Sequence, residues 1–136
     1  MTVVPVLVNG NWVITITFKQ GSNSVVWEFP AGRKPKNVSA VDQARDELSE
    51  ESGMIAGEMI SLGRTCVSLS KFDTYEELCV AINCTLGKPK HGPGEILEVY
   101  EIAPGEFWKL VGAGEIVSGF SEIAAVRAVD MLNNKK

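Results

Sequence analysis

The sequence predicts an α+β domain built on a mixed β-sheet, and three observations carry that prediction. Short β-branched runs fill the first thirty residues and return between 59 and 102. A helically spaced segment over 39–51 separates the two groups, and a second helical pattern closes the chain. At 136 residues, 45% apolar, with Gly 13 and Pro 6, the chain fits one domain over 1–136 with its own core; disordered, collagen-like and disulfide-scaffold classes are excluded.

Residues 3–8 and 12–18 read as strands on either side of Asn9-Gly10-Asn11, whose glycine suits a hairpin turn. Residues 24–29 read as a third strand, stopped by Pro30-Ala31-Gly32 because proline has no N–H to give a ladder. A basic, polar loop follows over 33–37. From 39 to 51 the period becomes helical, with Val41, Ala44 and Leu48 on one stripe, Ser39 as N-cap and Gly53 as the left-handed terminating residue. Strands are expected over 59–70, 75–86 and 96–102, with a polar loop over 87–94. A short helix over 104–111 precedes Gly112-Ala113-Gly114, and a packed terminal helix over 121–132 carries Ile123, Ala124, Val126, Val129 and Leu132. Internal repeats and low-complexity tracts are absent from the sequence.

Lys plus Arg total 13 against 17 for Asp plus Glu, a net charge of -4, so no global positive field exists to hold duplex nucleic acid. Cys66, Cys79 and Cys84 are odd in number and lie in apolar runs, which reads as reduced core thiols of a cytoplasmic protein. No run approaches the roughly 18 apolar residues that span a bilayer, and no basic segment with a cleavage site opens the chain, so neither membrane nor secretion is expected. His91 is the single histidine and reads as a loop residue, with contact to substrate phosphate as its functional alternative. The cysteines lack histidine at zinc or nucleophile spacing, and no phosphate-loop motif ends in Gly-Lys-Ser or Gly-Lys-Thr.

The acidic residues carry the chemistry. At 100° per residue, Glu47, Glu50 and Glu51 share an arc of about 100°, and the helix rises only about 6 Å between the first and last. Three carboxylates in the last turn repel one another and oppose the helix dipole. A divalent cation removes that conflict; a solvated acidic face is the plain alternative. The adjoining run Gly32-Arg33-Lys34-Pro35-Lys36-Asn37 joins a strand end to this helix. There the Gly32 carbonyl can reach a metal while Arg33, Lys34 or Lys36 faces phosphate oxygens, an arrangement suited to phosphoanhydride hydrolysis.

Gly32 and the run Glu47-Leu48-Ser49-Glu50-Glu51-Ser52-Gly53-Met54 keep the spacing of a known signature, and in this the sequence resembles the Nudix hydrolase family. Val38 stands where that family has its first glutamate and Asp46 where it has arginine, so one structural ion pair is lost as a unit; Arg45 steps 100° away and does not replace it. The resemblance implies a Nudix-type α/β/α sandwich, with Glu47, Glu50, Glu51 and the Gly32 carbonyl holding Mg²⁺ or Mn²⁺ and Glu51 as principal ligand.

Trp27-Glu28-Phe29-Pro30-Ala31-Gly32 is similar to the Glu-Leu-Pro-Ala-Gly run of ADP-ribose and related nucleoside diphosphate-sugar pyrophosphatases, and 95–99 and 114–117 resemble later segments of that subfamily. The implied enzyme splits ADP-ribose with water into AMP and ribose 5-phosphate. Its implied base is Glu95, with Glu98 second. Trp27 is a candidate for shaping an adenine pocket, Glu28 for meeting ribose or base donors, and Phe29 for the core. Leu69 occupies a position where the subfamily often has proline, which favours nucleoside diphosphate-linked compounds in general over ADP-ribose in particular. Two other readings are a nucleoside triphosphate pyrophosphohydrolase and a nucleotide-binding domain that has lost turnover through Val38 and Asp46. A homodimer through the sheet or the terminal helices is compatible with the sequence.

Overall fold

The computed structural model describes residues 1–33, 35–88, 90 and 97–135. Its elements run β1 (Thr2–Leu7), β2 (Trp12–Lys19), β3 (Ser24–Glu28), α1 (Ala40–Ser52), β4 (Glu58–Thr65), β5 (Glu76–Cys84), β6 (Leu97–Ile102), α2 (Pro104–Gly112) and α3 (Gly119–Asn134). The strands form a mixed sheet in the order β3-β2-β1-β5-β4, with β6 pairing β2. Gly10, at φ 86, turns the first hairpin, and Leu7 N–H donates to the Asn11 carbonyl at 2.8 Å. The hairpin opens at once: β1 and β2 pair only at Val6 and Trp12. From there β1 runs parallel to β5, while β2 lies antiparallel to both β3 and β6.

Every residue of β1 is buried, because helices cover both faces of the sheet it centres. Val4 and Val6 face a core completed by Phe107 of α2 and by Ala124, Ala125 and Ala128 of α3. Val3 and Leu7 face the opposite core, closed by Ala44 and Leu48 of α1. This is the α/β/α layering expected from the sequence, and the alternation within one strand produces it. On the α2/α3 side Phe29 stacks on Phe107 at 4.9 Å, and Trp12 meets both edge-on at 5.7 and 5.2 Å. Phe29 N–H donates to Ser121 Oγ at 3.0 Å. Aromatic packing and this bond fix the end of β3, and with it the 30–32 turn that follows.

Two boundaries differ from expectation. β4 stops at Thr65 instead of reaching 70, because Gly63 takes φ +79 in a register shift between Ser61 and Arg64. The chain then turns where the N–H groups of Lys71 and Phe72 both donate to the Ser68 carbonyl. Cys66 therefore lies half-exposed in a loop and not in the core, whereas Cys79 and Cys84 are buried; all three are free thiols. α3 begins earlier than 121, since Ser118 caps it by accepting from Ser121 N–H. Among the described residues, no helix is long and apolar enough to cross a membrane.

Candidate active site

α1 is defined at both ends by its own sequence. Ser39 Oγ accepts from Asp42 N–H at 3.0 Å, and Gly53, at φ 69, sends its N–H back to the Ser49 carbonyl at 3.0 Å. With Ala44 and Leu48 packed on the sheet, Glu47 and Glu51, one turn apart, flank the buried stripe. The last turn holds no basic residue, so nothing on the helix itself offsets its carboxylates.

The 30–32 turn is stitched to the start of β1. Val3 N–H donates to the Pro30 carbonyl at 2.9 Å, Gly32 N–H to the Met1 carbonyl at 3.0 Å, and the Met1 ammonium to the Gly32 carbonyl at 2.6 Å. That ammonium also pairs with Glu76 at 2.7 Å. So placed, Gly32 lies directly against α1: a Cβ at this position would stand 2.0 Å from Glu47 Cδ. Only glycine leaves room for the carboxylate. Ala31 N–H, one residue earlier, donates to Glu51 Oε2 at 3.1 Å, and Gln43 Nε2 donates to Glu47 Oε1 at 2.9 Å.

Glu28, at the end of β3, points to this same side and is ion-paired with Lys19 of β2. Burial lifts the Glu51 carboxyl to about 7; Ala31 N–H opposes the rise, Glu47 and Glu28 add to it, and Lys19 counters weakly. Glu47 and Glu28 thus both press on Glu51, with Lys19 paired to Glu28. The segment after β5 closes the far end of α1: Gly87 lies so near the Gly53 carbonyl oxygen that a Cβ would approach it to 2.1 Å, and Lys90 N–H donates to the Glu50 carbonyl at 2.9 Å.

The expected residues divide accordingly. Glu47, Glu51, Gly32 and Glu28 are brought together. Glu50 is exposed, and among the described residues no three His, Cys, Asp or Glu side chains converge closely enough to hold a metal ion. Glu47 accepts from Gln43 and Glu51 from Ala31, and the 100° step from Glu51 turns Glu50 outward. The Gly32 carbonyl, expected to face a metal, already accepts from an ammonium. Trp27 packs against the α2/α3 core, 6.0 Å from Tyr100, on the opposite face from the glutamates. Strand alternation separates it from Glu28, and with Tyr100, Glu106 and Leu110 it lines a separate cleft of about 300 Å³. Glu98 lies on that same opposite face, since its neighbour Val99 packs on the α1 side. Arg33 and Lys36 are exposed on the loop, and Arg45 reaches away to the Ala56 carbonyl at 3.3 Å. Lys34, His91 and Glu95 lie outside the described residues.

Lys19, Gln43 and the Met1 ammonium were not anticipated. The i,i+4 spacing of Gln43 and Glu47 signals the second of these, and the hairpin pairing of Lys19 with Ser24 puts Lys19 on the Glu28 face. Nothing in the sequence signals the ammonium contact.

No family model and no curated protein sequence matches this chain. A solved structure does: the crystal structure of an ADP compounds hydrolase superposes with a TM-score of 0.86 over 98% of this chain and 72% of the other, at 18% identity. The two chains share one fold. The α+β architecture expected from the sequence, a mixed sheet with helices on both faces, is thus matched at the level of fold.

Proposed function

We propose that this protein is a Mg²⁺- or Mn²⁺-dependent hydrolase of the diphosphate bond in ADP-ribose or a related nucleoside diphosphate sugar. Its products are AMP, or the corresponding nucleoside monophosphate, and a sugar phosphate. The observation that carries the reading is the Glu47–Glu51 pair pressed against Gly32, in a chain whose fold matches that of an ADP compounds hydrolase. Nucleotide-derivative hydrolysis is the broader form of the same proposal.

The donor set is all oxygen and anionic, which suits a hard divalent cation. Glu47 and Glu51 would hold it, with Glu50 reaching in from the exposed face. When bound, the cation supplies charge neutralisation for the diphosphate and activation for the attacking water. The chain's own residues do the rest. Gly32 leaves the space in which the Glu47 carboxylate lies against the loop backbone. Arg33 and Lys36 place positive charge along the loop before α1, and Lys34 is assigned the same role from the sequence. Lys19 holds Glu28 beside Glu51, where Glu28 is available to a ribose or base donor. Water oxygen bonds to one phosphorus as the bridging P–O bond breaks, and the departing phosphate retains that oxygen. The water proton passes to a base from the segment before β6, with Glu95 the residue assigned from the sequence. Gly87 and Lys90, earlier in the chain, lie against the end of α1.

A second reading, a nucleotide-binding domain without turnover, is favoured by Val38 and Asp46, which cannot form the loop-to-helix ion pair, and by the exposure of Glu50. Product analysis separates these readings. Incubation with Mg²⁺ and a panel of ADP-ribose, other diphosphate sugars and nucleoside triphosphates is expected to release AMP from ADP-ribose over many turnovers. Pyrophosphate from a triphosphate would move the assignment to a pyrophosphohydrolase, and thermal stabilisation by nucleotide without product would move it to a binding domain.

A further inference from the structure

A cleft of about 500 Å³ opens beside Gly32, between the 30–33 turn and the start of β5, and is lined by Met1, Arg33, Thr74, Tyr75, Glu76 and Glu77 as well. Its size falls in the range of small-molecule sites. Gly32 is common to this cleft and to the carboxylate pair, touching Glu47 on one side and lining the cleft on the other. The cleft and the carboxylate pair are therefore neighbours across Gly32.

The lining selects a chemistry. Glu76 is committed to the Met1 ammonium and to the Thr2 hydroxyl, which donates to it at 2.8 Å. That leaves Glu77 as the carboxylate for a ligand. Its strand neighbours Cys79 and Ala81 pack on the α1 side, so alternation turns Glu77 to the side of Glu47. Tyr75 is 43% exposed, and the Arg64 guanidinium stands over its ring at 4.4 Å, holding its orientation. One aromatic face with a carboxylate and a threonine hydroxyl beside it suits a sugar ring: the apolar C–H face lies on the aromatic, and the hydroxyls donate to the carboxylate. The described lining residues include no second aromatic ring to sandwich a flat base. Arg33, next to Gly32 in the lining, suits the distal phosphate of the diphosphate, the one that carries the sugar.

We propose that this cleft is the subsite for the distal sugar of a nucleoside diphosphate sugar, with Tyr75 stacking on the pentose and Glu77 accepting from its hydroxyls. The inference rests on the reaction proposed above and deepens it by naming specificity-determining residues. It is tested without turnover, by calorimetric titration of the full chain in Mg²⁺ with two non-hydrolysable methylene-bridged compounds, one an ADP-ribose analogue and the other an ADP analogue lacking the distal sugar. The wild-type chain should bind the sugar-bearing compound about tenfold more tightly. Tyr75→Ala and the isosteric Glu77→Gln should each cut that ratio by about threefold or more. A wild-type ratio of one, or a ratio unchanged in both variants, overturns the subsite. Loss of the preference in E77Q, with no hydrolysis of ADP-ribose by the wild type, would keep the subsite and overturn the reaction instead.

Discussion

Glu47 lies where a side chain on Gly32 would stand, an approach that only a missing side chain permits. Because the atom a Cβ would strike belongs to the end of a flexible glutamate, Gly32→Ala should leave the fold intact and displace the carboxylate. The expected result is a melting temperature within a few degrees of wild type and a loss of at least about tenfold in Mg²⁺-dependent turnover. Glu51 gives a prediction with a sign. Its folded carboxyl titrates near 7 against an ordinary 4.5, so the folded chain binds the proton more strongly than the unfolded one does. That contribution is complete below the ordinary value and is lost as pH rises through 7. In the absence of metal, denaturant titrations should therefore show stability falling between pH 5 and 8, by on the order of 2–3 kcal/mol from this group. Glu51→Gln should remove that slope, and equal loss of stability across the range would contradict the assignment. Millimolar Mg²⁺ should raise the melting temperature more at pH 8 than at pH 5. Glu47 and Glu51 could be read from their helical spacing. The Lys19–Glu28 pair and the Met1 ammonium could not, because both depend on strands brought together by the fold.

α1 carries its own start and stop signals, Ser39 and Gly53, which is why its limits were readable from the chain. β4 had no such punctuation: its β-forming run continues past Thr65, and only the left-handed Gly63 with the Ser68 turn ends it. The contact that joins α1 to the segment before β6 is also tertiary. A Cβ on Gly87 would meet the Gly53 carbonyl oxygen, which is backbone on an anchored helix end, so Gly87→Ala should cost about 1–3 kcal/mol in chemical denaturation. It should also lower turnover by displacing the end of α1 that carries Glu50 and Glu51, whereas Ser39→Ala, at the far end of α1, should cost about 1 kcal/mol with little change in kcat.

The arrangement as a whole places the glutamates on one face of the sheet and the aromatic packing on the other. Period-two alternation in β3 sends Glu28 to the α1 side and Trp27 and Phe29 to the α2/α3 side, and that segregation was visible in the sequence; which face held the glutamates was not. Phe107 stacks on Phe29 and closes the second core, so Phe107→Ala should destabilise the chain by about 3–5 kcal/mol. Its effect on catalysis should follow from lost folded protein alone, with kcat per folded molecule close to wild type.

The most direct test is chromatographic product analysis of ADP-ribose incubated with Mg²⁺ and either the wild-type chain or Glu51→Gln. Multiple-turnover release of AMP and ribose 5-phosphate by the wild type, reduced by orders of magnitude in the well-folded variant, is the predicted result. Equal rates from the two proteins would contradict a catalytic centre built on Glu51.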